Sequence, residues 1–365
     1  MKKIKKRNSR PAYKKKGTSN KYFIIASILV AVIGLGAWLI IEKSYLKATN
    51  VWFEAKASDT SSVSLPKDDA PHQAQMEWWY YNGYLTTESG QQYSFHYTVF
   101  LVNGLTTHIV SHVSLNDHEH EQHYTDQKRT TSVSNIDTVS RFDFALGDWV
   151  MEGGDGVDQL KVVSSDFSFN LNLTSTIPPV LHGSNGIISL DRAGSSYYYS
   201  RTRMAVSGSL KIGKKFQTVK GIAWFDHQWG DFSTVQLSWD WFSLQLKDGA
   251  DLMIYQLRDK SNKPILYTGS ITQNGVTELL QNTDFTIKPG TNWLSKKTGI
   301  AYPVEWTIKI PNRNVAITTK AVLENSEFDA SLTTYNVYWE GAVKVQGSHA
   351  GQGFMELSGY PAVKH

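Results

Sequence analysis

Cysteine is absent from this sequence of 365 residues, and its absence excludes several classes of protein. Without thiolates there can be no disulfide scaffold, no iron–sulfur cluster, no cysteine-ligated zinc and no cysteine nucleophile. The chain also lacks a Gly-x-Ser-x-Gly elbow, a P-loop, a dinucleotide-binding glycine fingerprint and a His-Glu-x-x-His pair. These absences disfavour nucleotide-dependent enzymes and ordinary serine hydrolases.

Aromatic residues are plentiful by contrast. The chain has 12 Trp, 18 Tyr and 15 Phe, and 41% of its residues are hydrophobic against 19% charged. Such a composition supports a sizeable core and excludes a disordered chain. Because Trp and Tyr favour β-structure and carry a polar group on an apolar ring, we expect β-strands and apolar pockets with a polar rim.

The positive charge is confined to one end of the chain. Residues 1–21 hold ten Lys and Arg and no acidic residue, although the whole chain carries only +4. The remainder has 27 basic against 33 acidic residues, a net charge of −6. We therefore expect the body of the protein to bind no nucleic acid.

Residues 22–41 contain no charged residue and predict a transmembrane helix, since about 20 helical residues span a bilayer core. The basic tail predicts a cytoplasmic N-terminus and an extracellular body on a single-pass protein of the cell membrane. A cleaved signal peptide is the alternative, with Ala55-Lys56-Ala57 as its distant cleavage site. Residues 42–70 are polar and read as a stalk.

The body predicts an all-β protein. Short alternating runs such as 93–102 and 238–246 are separated by turn signals, including Asn103-Gly104 and Asn274-Gly275. No long helical periodicity interrupts them, which indicates antiparallel sandwiches or barrels. About 295 residues exceed one small barrel, so two β domains are expected.

Three segments contain candidate catalytic or binding residues. In the first, alternation places Glu77, Trp79 and Tyr81 on one face of a strand. A carboxylate among aromatic rings should have a raised pKa unless a base pairs with it. The alternative is a structural glutamate held by an arginine or by backbone amides.

In the second segment, alternation places Tyr197, Tyr199, Arg201 and Arg203 on one face. Arginines stacked on aromatic rings can clamp an anion or pair with a buried carboxylate. We expect a structural ion pair, with Glu77 as the candidate partner.

The third segment, GIAWFDHQWGD at 221–231, offers a histidine suited to proton transfer. Alternation predicts that His227 lines a pocket with Trp229, while Asp226 and Gln228 point to the other face. Asp226 would then be a turn or structural acceptor. The alternative for His227 is a hydrogen-bonded core residue without a catalytic role.

A histidine-rich stretch follows the first candidate segment along the chain, with His108, His112, His118, His120 and His123. A His-x-His pair can bind a metal. Residues 116–129 are polar throughout, however, and predict an exposed loop. We therefore predict no metal site and no cofactor.

Several segments together resemble one family. They are EWWY (77–80), YYSRTRM (198–204), GIAWFDHQWG (221–230), WDWFSLQL (239–246), YPVEW (302–306), YWEGA (338–342) and GFMELSGY (353–360). The chain resembles the carotenoid 1,2-hydratase (hydroxyneurosporene synthase)/AttH-like family over about residues 70–362. The resemblance implies two tandem lipocalin-like domains, at 71–233 and 234–365, with a ligand cleft near their junction.

The resemblance also implies site residues. It assigns catalysis to His227 and Trp229, with Tyr255 as the third catalytic residue, a polar group in the pocket. The expected ligand-binding or structural residues are Glu77, Trp79, Tyr199, Arg201, Arg203, Asp226, Gln228, Trp239, Trp241 and Glu340. One departure concerns the Tyr-x-Asp of the carotenoid hydratases, because Leu257 occupies the acid position after Tyr255, with Asp259 as the alternative acid.

Three functions follow from these residues. The first is a hydro-lyase or isomerase-type activity on a hydrophobic prenyl or lipid substrate, in which an acid protonates an alkene and aromatic faces stabilise the cation. The second is a non-catalytic binding protein for a lipid or other apolar molecule. The third, carbohydrate recognition or cleavage by paired carboxylates, agrees less well with the family resemblance.

Overall fold

A computed structural model describes residues 62–104, 106–131, 139–190, 194–232, 238–259 and 261–363. Strands dominate these ranges, with short 3₁₀ turns at Lys67–Asp69 and Pro311–Arg313. The predicted all-β class is confirmed. Within the described ranges, no helix has the length and apolarity needed to cross a bilayer. The predicted transmembrane helix at 22–41 lies outside them.

Twelve strands form the first barrel-like sheet. In sheet order the main path is β4-β3-β2-β1-β12-β11-β8-β7-β6-β5, and β9 and β10 pair with β11. The strands are β1 (Met76–Thr87), β2 (Gln92–Val102), β3 (His108–Asp117), β4 (Gln122–Thr131), β5 (Phe142–Leu146), β6 (Trp149–Gly154), β7 (Val157–Val163), β8 (Phe167–Ser175), β9 (Val180–Leu181), β10 (Ile187–Ser189), β11 (Ser195–Ile212) and β12 (Lys215–Gly230).

The second barrel-like sheet follows the order β16-β15-β14-β13-β24-β23-β21-β20-β17, with β22 beside β23; a separate pair joins β18 to β19. The strands are β13 (Ser238–Leu246), β14 (Asp251–Arg258), β15 (Pro264–Gln273), β16 (Val276–Leu280), β17 (Thr286–Pro289), β18 (Asn292–Leu294), β19 (Ala301–Pro303), β20 (Glu305–Ile310), β21 (Val315–Ala321), β22 (Glu327–Asp329), β23 (Val337–Gly347) and β24 (Gly351–Ser358). The predicted boundary after 233 falls at 233–237, outside the described residues.

Alternation along the strands divides the side chains between two cores and one interface. In β13, for example, Phe242 and Leu244 enter the core of the second barrel, whereas Trp239 and Trp241 face the first barrel. Because apolar side chains occupy both faces of these strands, the two barrels pack against each other through their outer faces. This shared face is called the interface below.

Residues 62–70, assigned to the stalk from the sequence, belong structurally to the first barrel. Val63 packs in its core, and Asp69 is fully buried. Composition alone predicted a linker here because most residues of the segment are polar. The segment is held in place by Asp69, whose buried hydrogen-bond partners lie far along the chain.

The histidine-rich stretch differs from the predicted exposed loop. Residues 108–117 and 122–131 are strands β3 and β4, joined by a short turn. As an edge strand of the first sheet, β4 tolerates polar side chains on both faces. His112 reaches across the interface, where its ring nitrogens lie 2.9 Å from the Tyr338 hydroxyl and 2.8 Å from that of Thr333.

Candidate functional site

Four side chains form one row on the interface face of the second barrel. The ladder pairs Tyr255 with Trp241, Trp241 with Glu356, and Glu356 with Glu340. This register places two carboxyl groups directly opposite each other on neighbouring strands. Two carboxylates in that position repel each other, so the pair favours a state with at least one proton. We call Glu340 and Glu356 the carboxyl pair.

Glu340 is the more deeply buried member, with 1% of its surface exposed. One of its oxygens, Oε1, accepts a hydrogen bond of 2.6 Å from the Tyr80 hydroxyl of the first barrel. The other, Oε2, is buried and has no hydrogen-bond partner among the described residues. An ionised carboxylate would leave a charged oxygen unsolvated there, whereas a protonated one would not.

The pKa values of both carboxyl groups are raised. Burial and the nearby charge of Glu356 raise the pKa of Glu340 well above its usual range. Burial also raises the pKa of Glu356 to about 7, although a hydrogen bond of 2.9 Å from the Trp239 indole opposes the shift. Neither group forms an ion pair with a basic residue in the part of the chain that the structure describes. Near neutral pH, Glu340 is therefore a neutral acid and Glu356 exchanges a proton.

Glu356 is the accessible member of the pair. Its side chain is only half-buried, and its single hydrogen bond among the described residues uses Oε1. Trp239 and Tyr255, also half-buried, pack against the apolar cluster of the interface. A partly exposed carboxyl group among aromatic side chains, with a pKa of about 7, has the properties of a general acid–base group.

Aromatic groups from both barrels surround the row. The Trp241 indole donates a hydrogen bond of 3.1 Å to the Tyr198 hydroxyl, and its ring meets that of Tyr80 edge-on at 5.4 Å. Asp226 lies on the opposing face and accepts hydrogen bonds from Tyr198 (3.0 Å), Trp224 (2.7 Å) and Ser200. These three donors agree with the predicted role of Asp226 as a structural acceptor, and burial raises its pKa to about 7.

The raised pKa of Glu356 predicts a pH-dependent stability. Its pKa of about 7 in the folded protein exceeds the ordinary pKa of 4.5 for a glutamate, so ionisation in the folded state costs free energy. The free energy of unfolding should be unaffected below pH 4.5 and should fall as the pH rises through 7. Glu356→Gln should remove this pH-dependent loss of unfolding free energy, which is on the order of 3 kcal/mol between the low-pH and high-pH limits. Urea unfolding at a series of pH values measures it.

The control for that experiment is Glu88→Gln, which removes a carboxylate at the exposed β1–β2 turn. It gives the same change in net charge without touching the interface. If Glu356→Gln and wild type lost stability in parallel between pH 4 and 8, Glu356 would not be buried as a neutral acid.

His227 lies on the opposite face of β12, inside the first barrel. Its Nε2 lies 2.7 Å from Oε1 of Glu77, and neither side chain is exposed. The Trp79 ring stacks on His227 with a centroid distance of 4.3 Å. Burial lowers the pKa of His227 and outweighs the opposing effect of Glu77. His227 is thus a neutral, hydrogen-bonded imidazole in a packed environment.

The same glutamate oxygen has a second imidazole partner. Nδ1 of His72 lies 2.7 Å from Oε1 of Glu77, and the His72 ring stacks on Trp229 at 4.0 Å with an angle of 3°. Burial lowers the pKa of His72, but hydrogen bonds to Asp68 and Glu77 outweigh it and raise the pKa to about 9. Glu77 is therefore held by histidines, rather than by the expected arginine.

Arg201 pairs with Asp69 instead. Its Nη2 lies 2.8 and 3.0 Å from the two Asp69 oxygens, and Tyr199 also donates to this carboxylate. The ladder explains the difference: Arg201 is level with Phe225, whereas Glu77 is level with Trp229, four residues further along β12. That offset corresponds to about 13 Å along a strand.

Arg203 does not share a face with Arg201, contrary to the alternation. The β11–β12 register shifts between Arg201 and Met204, and such a bulge reverses the side-chain order. Arg203 therefore leaves the first barrel and pairs with Asp251 of the second at 2.9 Å.

The predicted site residues divide between two places. Those inside the first barrel are Glu77, Trp79, Tyr199, Arg201, His227 and Trp229; those on the interface side are Arg203, Asp226, Gln228, Trp239, Trp241, Tyr255 and Glu340. Tyr255 is thus separated by the sheet from His227 and Trp229. Two residues of these places, Glu356 and His72, were not among the site residues predicted from the sequence. The hairpin at 348–350 could have revealed Glu356 as the cross-strand partner of Glu340.

Comparison with known proteins identifies the family. A sequence model described as AttH-like matches residues 56–360. A crystal structure of a candidate AttH protein from Nitrosomonas europaea shares 29% identity and a TM-score of 0.77, covering 83% of this chain and 98% of that one. Kievitone hydratase from Nectria haematococca shares the fold, with a TM-score of 0.69, 17% identity and coverage of 83% and 94%.

One curated relative is a dehydratase, asqC of Emericella nidulans. It is 25% identical over 218 residues, which is 56% of this chain. The match spans 62% of the length of that relative. The resemblance drawn from the sequence motifs is confirmed, because the family match extends over most of the chain. The chain belongs to the AttH-like family.

Proposed function

We propose that this protein adds water to, or removes it from, a carbon–carbon double bond of a hydrophobic substrate at the interface of the two barrels. The observation that carries the proposal is the carboxyl pair, where the partly exposed Glu356 has a pKa of about 7 and lies beside Trp239. Relatives named as a hydratase and a dehydratase support this reaction class.

Glu356 performs the proton transfers in this proposal. In hydration, its carboxyl group donates a proton to one alkene carbon, and the cation forms on the other. Water attacks that cation, and the Glu356 carboxylate takes the released proton, so the group returns to its starting state. Dehydration follows the same steps in reverse.

The neighbouring groups position Glu356 and stabilise the cation. The Trp239 indole holds Oε1 of Glu356 at 2.9 Å, which leaves Oε2 for the substrate. The faces of Trp239 and Trp241 are suited to stabilise a developing cation. Glu340 keeps its proton at neutral pH, because its pKa is raised well above the usual range. It therefore adds no second charge beside Glu356.

A labelling experiment tests the proposed function. Native mass spectrometry of the purified full-length protein identifies a co-purifying apolar molecule, which is then incubated with the protein in ¹⁸O-water. The proposal expects ¹⁸O in an alcohol product, or exchange of label into a substrate hydroxyl. A molecule that binds at the interface and returns without label would favour the non-catalytic binding protein instead.

We also propose that residues 22–41 anchor the protein in the cell membrane with its body outside, on the strength of their length and lack of charge. The full chain should remain in the membrane pellet after an alkaline carbonate wash, whereas a chain lacking residues 1–41 should not. Protease added to intact cells should digest the body. Release of the full chain by carbonate would contradict the anchor.

A further inference from the structure

Three potential metal ligands converge inside the first barrel. They are Nδ1 of His72, a carboxylate oxygen of Glu77 and Nε2 of His227, and these atoms all lie within 4.8 Å of one another. Both imidazoles approach the same glutamate oxygen, each at 2.7 Å. Imidazole nitrogens and carboxylate oxygens are ligands that zinc and other transition metals use in proteins.

The outward nitrogens of both histidines have the surroundings typical of metal ligands. Nε2 of His72 faces a carboxylate oxygen of Asp68 at 3.7 Å, an ion-pair contact that is longer than a hydrogen bond. Nδ1 of His227 lies 3.4 Å from the Tyr199 hydroxyl, which in turn donates to Asp69. Metal-bound histidines almost always have such an acceptor on their second nitrogen, because it fixes the tautomer and the ring orientation.

Stacked indoles fix the planes of the two imidazoles. Trp229 lies parallel to His72 at 4.0 Å, and Trp79 stacks on His227 at 4.3 Å. The second oxygen of Glu77 accepts a hydrogen bond of 2.8 Å from the backbone N–H of His72. All three side chains are therefore held in place by groups that a bound metal would not displace, which lowers the cost of ordering the ligands.

We propose that His72, Glu77 and His227 form a binding site for a divalent transition metal, with Zn²⁺ as the best match to two nitrogens and one oxygen. Around zinc, the two 2.7 Å contacts would open to about 3.3 Å. Three protein ligands leave a fourth position, and the 24% exposed side chain of His72 provides the route from solvent. The site lies inside the first barrel, whereas the carboxyl pair belongs to the second, so the site does not depend on the proposed function.

Metal titration of the purified full-length protein, stripped with a chelator, tests the site. We expect one equivalent of Zn²⁺ in calorimetry and intense visible bands of tetrahedral Co²⁺ on cobalt substitution. His72→Gln should weaken Zn²⁺ binding by more than about 100-fold, and Asp68→Asn by about 10-fold. His349→Gln, a histidine of the second barrel beside Asp248, is the matched control and should keep wild-type affinity.

The outcomes are distinct. His72 lies near the surface, and near-ultraviolet circular dichroism shows whether the variant keeps its native packing. A folded His72→Gln protein with wild-type affinity would overturn the proposal. So would wild-type protein with no saturable single-equivalent binding, because the three side chains would then form only a hydrogen-bonded contact.

Discussion

Glu356→Gln should lower turnover by about 10²- to 10⁴-fold, because it removes the only group that transfers a proton in the proposed reaction. The amide keeps the size of the side chain and can retain the hydrogen bond from Trp239 through its oxygen. Substrate binding, measured by fluorescence of the surrounding tryptophans, should change little. The loss should therefore appear in kcat rather than in KM.

Glu340→Gln is the matched control for that experiment. Glu340 is neutral at the working pH, and glutamine keeps an acceptor for Tyr80. We expect its turnover to fall by less than about 10-fold, since it contributes no proton. Equal losses in the two variants would mean that the pair acts structurally, and full activity of Glu356→Gln would remove Glu356 from the chemistry.

Asp69→Asn should destabilise the protein by about 3–5 kcal/mol, the usual cost of removing one partner from a buried ion pair. Arg201 is 3% exposed and would keep its charge in the barrel core. Tyr199 would also lose its ionised acceptor. Urea unfolding measures the effect at neutral pH.

The exposed Lys67 in the same 3₁₀ turn provides the control. Lys67→Gln should change stability by no more than about 0.5 kcal/mol. If Asp69→Asn were equally mild, residues 62–70 would be a loosely attached linker, as their composition first indicated, and the ion pair would contribute nothing measurable.

Local pattern was sufficient to predict the fold class and, where the ladder is regular, the division of side chains between faces. Alternation correctly placed His227 with Trp229 and Asp226 on the other side, because the sheet period is two wherever the ladder is regular. The turn at Asn274-Gly275 was also predictable, since both residues adopt the positive φ that a tight hairpin requires.

The residues that meet in the first barrel and at the interface could not be predicted from local pattern. His72, Glu77 and His227 meet because β1 pairs with β12, a contact between segments 150 residues apart. The exclusion of a metal rested on the histidine-rich stretch, where ligands are close in sequence. Similarly, the bulge after Arg201 moved Arg203 to the other barrel, and no local signal marked it.

The carboxyl pair is an intermediate case. Glu340 and Glu356 flank one hairpin symmetrically, so their register follows from the turn once both strands are known. Their raised pKa values do not follow from the turn, because this face becomes buried only when the first barrel packs on the second. Leu257 stands where the carotenoid hydratases have the acid of a Tyr-x-Asp unit, so one acid near Tyr255 is missing. Glu356 supplies another from β24, two strands away in the same sheet.

Infrared difference spectroscopy of the carboxyl groups tests the central claim most directly. In wild type, the protonated-carboxyl band of Glu356 should disappear with a midpoint near pH 7, while that of Glu340 should persist to higher pH. Glu356→Gln should remove the Glu356 component and leave that of Asp226, whose pKa is also about 7, whereas Glu340→Gln should remove only the persistent band. A Glu356→Gln spectrum identical to that of wild type across this range would contradict the assignment of Glu356 as the proton donor.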